Sequence, residues 1–96
     1  MRTPRTTSRA DLDLLQIWAF IAQDSLENAD KLIDQLHVKF EQLAKMPESG
    51  ATCDDIEPGL RRSTTAGYVI YYRITDIDAE ILRVVHGARN LRSLFD

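Results

Sequence analysis

The sequence predicts an α+β fold, with an N-terminal antiparallel helical hairpin packed on a small antiparallel sheet of about three strands. Three observations predict it. Residues 67–92, GYVIYYRITDIDAEILRVVHGARNLR, contain two runs of β-branched and aromatic residues around a polar turn, the first strictly alternating. Residues 29–43 carry Ala29, Leu32, Ile33, Leu36, Phe40 and Leu43, a stripe at three- and four-residue spacing. Between these lie residues 47–59, PESGATCDDIEPG, a stretch of helix stoppers and turn formers.

The elements follow in chain order. Residues 1–8 leave two readings open, a frayed terminus or a strand in which Pro4, lacking an amide donor, needs an edge or first position. Ser8 and Asp11 have the spacing of a capping box, which places a helix start at Ser8. Leu12, Leu15, Ala19 and Ala22 form one apolar row of this helix, and Leu14, Ile17, Trp18 and Ile21 another. A helix apolar around more than half its circumference is expected to be sandwiched. Trp18 reads as core, with an aromatic contact for a partner as the sharper alternative. Asp24 and Ser25 break the first helix, and Ser25 caps the second, whose stripe ends before Pro47 and Gly50. His37 falls at the stripe's boundary and is given no role. Residues 59–64 form a first strand, turned by residues 65–67 into the strand that starts at Tyr68. Residues 76–79 turn again, and residues 80–86 return. After Gly87, Asn90 can cap a short last helix with Leu91, Leu94 and Phe95 apolar.

Ninety-six residues make one domain, 1–96. A chain of this size buries roughly 60–65% of its unfolded surface, a core of modest size. No apolar run approaches the ~20 residues of a membrane helix, and no signal-peptide block is present, so a cytoplasmic location is expected. Cys53 is the only cysteine, which excludes an internal disulfide and a thiolate metal cluster. Neighbouring acids would raise its pKa rather than activate it. Asp54, Asp55 and Glu57 lack the alternation and terminal glutamate of a calcium loop, so a solvated acidic loop is the reading. No metal and no cofactor is expected.

Net charge is −3, unevenly distributed. Residues 1–9 carry three arginines and no acid, residues 10–60 three lysines against eleven acids, and residues 61–96 six arginines against four acids. An acidic whole argues against indiscriminate or direct sequence-specific DNA binding. An arginine patch for a protein or phosphate partner remains compatible with it, because arginine forks bind carboxylate and phosphate bidentately.

Five pieces in fixed order carry a family resemblance. Ala10-Asp11-Leu12 opens the first helix, and residues 43–50 (LAKMPESG) close the second. Pro58-Gly59-Leu60-Arg61 enters the sheet, residues 68–73 form its central strand, and residues 82–89 (LRVVHGAR) end it. Over residues 9–96 this resembles the ParE branch of the RelE/ParE toxins of type II toxin–antitoxin modules. The resemblance implies a small toxin held inactive by a cognate, ParD-like antitoxin, with DNA gyrase as target. RelE-type relatives instead cleave mRNA on the ribosome, and fold alone does not choose between the two.

Cleavage by a 2′-hydroxyl needs a base, an acid and cationic stabilisation of the phosphorane. The ribonuclease branch often has an arginine before the central strand's apolar run, where Val69 stands here, and a tyrosine near the C-terminus, where Phe95 stands. Lysines are absent after Lys45. Arg61, Arg83 and His86 would be the catalytic set of a nuclease, an incomplete one. These departures favour a non-catalytic poison that acts by binding; the competing readings are the nuclease and a non-toxic module retained with its antitoxin.

The resemblance and the arginine pattern together nominate target-contact residues Arg83, His86, Arg89, Arg92 and Phe95. Arg83 alternates with Ile81 and Val85, so it either pairs with an acid or faces a partner. His86 is either a half-buried histidine bonded to backbone or a surface residue with a role. Arg89 and Arg92 are neighbours if the last segment is helical. An acidic-apolar antitoxin segment is expected to fold over the hairpin and across the arginine-bearing sheet, on Trp18, Ile21, Leu60, Arg61 and Arg73.

Overall fold

The computed structural model describes residues 2–87. Two helices, α1 (Ser8–Ala22) and α2 (Leu26–Lys45), pack on one face of a five-stranded mixed sheet. The strands are β1 (Thr3–Thr6), β2 (Ala51–Thr52), β3 (Leu60–Thr65), β4 (Tyr68–Ile74) and β5 (Asp78–His86), in the spatial order β1-β5-β4-β3-β2. The helical hairpin and the β3-β4-β5 meander match the expectation, but the sheet is larger.

The two added strands lie at the edges. β1 runs parallel to β5, pairing Thr3 with Asp78 through Thr6 with Ile81. The amides of Thr3 and Thr7 donate to Ile77 and Ile81 carbonyls. That alternation turns the nitrogen of Pro4 outward, where a missing donor costs nothing. Of the two readings left open for residues 1–8, the chain takes the edge strand, which needs no apolar alternation. β2 lies inside the stretch read as pure loop and pairs only Ala51 with Arg62 and Thr52 with Arg61. Two residues are too short for any periodicity to register.

Helix capping moves by one residue. Thr7, not Ser8, is the N-cap of α1, and its hydroxyl accepts from the Ala10 amide at 3.1 Å. Asp11 takes the Thr6 hydroxyl at 2.6 Å instead of reaching back to the cap amide. Ser25 caps α2 as expected, accepting from the Asn28 amide at 3.1 Å. α2 ends at Lys45, and Pro47–Ser49 add one 3₁₀ turn.

The β3–β4 turn sits at Ala66-Gly67, both with positive φ, 53° and 84°. Two left-handed residues are what a tight hairpin turn between twisted strands requires. The β4–β5 connection is three residues, with β5 starting at Asp78 rather than Glu80. There the Thr75 amide donates to the Asp78 carbonyl at 2.9 Å and the Asp78 amide donates to the Thr75 hydroxyl at 2.8 Å.

Each sheet face carries its own core. Ile70, Tyr72, Ile81 and Val84 meet Ala10, Leu14, Leu36, Phe40 and Leu43 on the helix side. Val69, Tyr71 and Val85 gather with Cys53 and Leu60 on the other side, with Ile56 and Leu82 against them. Full burial of each large apolar side chain contributes roughly 1.5–3 kcal/mol. In β5 the helix-facing residues are 81 and 84, not 81 and 83. A bulge accounts for this: Tyr71 pairs with Arg83 but Tyr72 pairs with Ile81, so the register slips by one residue. The expected alternation of Arg83 with both Ile81 and Val85 is thereby broken, because Ile81 and Val85 occupy opposite faces. Neither is α1 sandwiched. Its inner side packs on the sheet and on α2, while Leu12, Leu15 and Phe20 are exposed.

Candidate functional site

Residues read as a possible catalytic set do not come together. β4 separates them: Arg61 pairs with Tyr72, and His86 pairs with Tyr68, four residues away. At about 3.3 Å per residue that is roughly 13 Å along the strand. The Arg61 guanidinium donates to the backbone carbonyl of Gly50 at 2.9 Å and, at 3.4 Å, to that of Glu48. It ties the 3₁₀ turn to β3.

Arg83 takes the acid-pairing alternative. Its side chain is buried, with Nε 2.8 Å and one terminal nitrogen 3.2 Å from the two Asp13 carboxylate oxygens. The Val84 amide donates to the same carboxylate at 3.0 Å. β1 has ended at Thr6, so this amide would otherwise lie at an open sheet edge. Asp13 therefore fills in for the missing strand and fastens α1 to β5. Arg83 is thus buried against Asp13 rather than presented at the surface.

Other arginines are also occupied. Arg73 pairs with Glu57 at 2.8 Å, Arg5 pairs with Asp78 at 3.0 Å and with Glu80, and Arg2 donates to the Thr75 carbonyl at 2.9 Å. Arg62 is exposed and hydrogen-bonded to Tyr71. The expected arginine-bearing surface is thus largely neutralised from within. Leu60, nominated as an antitoxin contact, is fully buried on the loop side and has no surface to offer. Trp18 and Ile21 are half-buried, and the Trp18 indole donates to Asp30 at 2.9 Å, pinning α1 to α2.

His86 is exposed and meets the Tyr68 ring edge-on, with centroids 5.7 Å apart. A groove of about 450 Å³ opens beside it, lined by Ile17 and Phe20 of α1 and by Tyr68, Val84 and Val85 of the sheet. Arg89, Arg92 and Phe95, together with the predicted C-terminal helix, lie outside the described residues. Among the described residues no group of three potential metal ligands converges. No helix there is long and apolar enough to cross a membrane.

Burial shifts three groups. The Cys53 thiol is pushed above its ordinary 9.0, mainly by burial, with Arg62 pulling the other way and Asp55 and Asp54 adding to the rise. Burial likewise raises Tyr71 and Tyr72 above 10.0. For Tyr72 the Gly50 amide, donating to its oxygen, works in the opposite direction. All three groups are held neutral, as packing residues rather than activated nucleophiles.

One feature escaped the sequence reading, the pairing of Asp13 with Arg83. Asp13 stands seventy residues from its partner, and no local pattern in the sequence marks it. The exposed apolar side of α1 did leave a signal, since residues 14–23, LLQIWAFIAQ, form a helical run without a single charge.

Comparison with known proteins agrees with this architecture. Residues 5–91 match the family of ParE toxins of type II toxin–antitoxin systems, parDE. The chain is 31% identical over 94 residues to Toxin ParE1 of Caulobacter vibrioides, covering 97% of each chain. It is 27% identical over 62 residues to Toxin ParE1 of Mycobacterium tuberculosis, covering 64% of this chain and 63% of that one. A solved structure, described as the chromosomal ParDE TA system from P. aeruginosa, superposes with a TM-score of 0.75 at 22% identity, covering 90% of this chain and 96% of that one. With the helical hairpin, the meander and the parallel edge strand all in place, the chain belongs to the ParE toxin family of type II toxin–antitoxin systems.

Proposed function

We propose that this toxin poisons DNA gyrase by binding it, without bond-breaking chemistry of its own, and that a ParD-like antitoxin neutralises it in the cytoplasm. The observation that supports binding over catalysis is the disposition of the sheet arginines. Phosphoryl cleavage needs cations free to meet developing charge beside a proton-transfer group. Arg83 is instead buried against Asp13, and Arg61 is spent on backbone carbonyls well away from His86. The target contact in this reading is the end of β5, through His86 and the arginines that follow in sequence, Arg89 and Arg92, with Phe95.

Purified protein added to a gyrase supercoiling assay tests the reading. Gyrase-dependent cleaved DNA should accumulate, and induction in cells should produce DNA damage and filaments while translation continues. Codon-phased cuts in mRNA on ribosomes, with supercoiling untouched, would replace this reading with the nuclease one. Harmless induction of the folded chain would leave only the non-toxic module.

A further inference from the structure

A groove of about 890 Å³ runs along the free edge of β3, past the end of β2, and Arg62, Ser63, Thr64, Thr65, Gly67 and Gly87 line it. The register leaves this edge open. The Cys53 amide donates to the Leu60 carbonyl, so the outward-bonding positions of β3 are 60, 62 and 64. β2 begins at Ala51, opposite Arg62, so Thr64 turns its amide and carbonyl toward the groove with no strand to meet them. The hydroxyls of Ser63, Thr64 and Thr65 join that amide. Arg62 is exposed and has no carboxylate partner among the described residues, unlike Arg5, Arg73 and Arg83. Not one residue lining the groove is acidic, in a chain with fifteen acids. The sequence around it keeps acids away: residues 58–75 and 81–95 each carry three arginines and no Asp or Glu. Gly67 leaves the approach clear, since a Cβ there would meet nothing within 4 Å. The Gly87 amide donates to the Gly67 carbonyl at 3.0 Å and so joins the groove to the end of β5.

We infer that this groove receives the sugar–phosphate backbone of the DNA that gyrase holds, so that the toxin touches the enzyme and its nucleic acid together. The inference rests on the gyrase reading above and adds a second component to its target. Charge complementarity selects the occupant. Guanidinium, hydroxyl and backbone amide are the donors that meet phosphate oxygens in protein–DNA contacts. A donor set without a carboxylate suits a polyanion better than a protein surface of mixed charge, whose cations would find no acid here. Such contacts fix position and read no sequence. The chain's net charge of −3 opposes capture of free DNA. Once gyrase carries both toxin and duplex, the contact becomes intramolecular and a few donors suffice.

The test uses the whole chain, purified gyrase, and gyrase loaded with a DNA duplex. Affinity for each preparation is measured for the unsubstituted toxin, for Arg62→Gln and Thr64→Val, and for Lys31→Gln, which removes an exposed charge from α2 instead. Circular dichroism confirms that each variant folds. The unsubstituted toxin should bind loaded gyrase about tenfold or more tightly than bare gyrase. Arg62→Gln should erase most of that difference and lower the slope of log affinity against log salt by about one. Thr64→Val should weaken binding to loaded gyrase by a smaller factor, about threefold. Both should bind bare gyrase as the unsubstituted toxin does, and Lys31→Gln should match it on both preparations. Equal affinity for loaded and bare gyrase, or loaded affinity untouched by Arg62→Gln, would overturn the inference while leaving the proposed function intact. An equal loss on bare gyrase in Arg62→Gln would give the groove to a protein surface and overturn it as well. Failure of the unsubstituted toxin to bind either preparation would sink this inference and the gyrase reading together.

Discussion

Asp13 receives donors from two successive residues of one strand, the Arg83 guanidinium and the Val84 amide. Truncating it would leave a buried guanidinium without its counter-charge and an edge amide without an acceptor. Asp13→Ala should therefore destabilise the fold by about 3–5 kcal/mol, measured by urea denaturation. The double change Asp13→Leu with Arg83→Met should cost distinctly less, because it removes both charges together. Ala66 is a second residue under local tension, held at φ 53° in a turn that favours asparagine or glycine. Ala66→Asn should raise stability by up to about 1 kcal/mol, visible as a higher melting temperature.

At the scale of elements, the Tyr72 side chain joins Arg61 in holding the 3₁₀ turn to the sheet. The Tyr72 hydroxyl donates to the Pro47 carbonyl at 2.6 Å and accepts from the Gly50 amide at 3.1 Å. Gly50 has no spare room, since a Cβ there would meet the Tyr72 hydroxyl and lie 2.6 Å from the Arg62 carbonyl oxygen. Gly50→Ala should cost about 1–3 kcal/mol by prying the turn off β3, read by thermal denaturation. Tyr72 also sets an alkaline limit. Its folded pKa is raised above 10.0, so its contribution is fully present below that value. As pH climbs past 10, the unfolded chain loses the proton first and stability falls. Tyr71 adds to the same limb, and Cys53 begins it nearer pH 9. Tyr72→Phe should be less stable at neutral pH but show a shallower alkaline decline in chemical denaturation.

These elements also show what could be read from residues alone. Both helices, the Ser25 cap, the Ala66-Gly67 turn and the meander were legible because periodicity and turn chemistry are local. β1 was legible only as one of two alternatives and β2 not at all, because an edge strand is specified by the neighbour it pairs with rather than by its own pattern. The bulge was hidden for a related reason. One inserted residue at Leu82 reverses which side chains face the helices, and nothing in LRVVH announces it. The candidate site was less legible than the fold. Arginine content was read as an outward surface, whereas Glu57, Asp78 and Asp13 neutralise Arg73, Arg5 and Arg83 from inside.

For the whole molecule, this distinction changes how loss of toxicity should be interpreted. Arg83→Ala should abolish toxicity together with the cooperative unfolding transition, because the residue secures α1 to the sheet. His86→Ala, at an exposed position, should leave the transition in place, so any lost toxicity there reports contact with the target. Pairing a growth assay with a melting curve for each variant separates the two cases. Loss of toxicity by Arg83→Ala with an unaltered melting curve would return that arginine to the target surface.

The parallel edge of the sheet carries a consequence in time. Thr3 and Asp78 lie 75 positions apart in sequence yet side by side in space. The ribosome lays down the first of these partners long before the second exists. Until the final strand emerges, the nascent hairpin has no sheet centre to rest upon, since β4 and β5 supply most of what the helices cover. Competence to harm the cell thus arrives late in synthesis, as a long-range closure of the kind that slows folding.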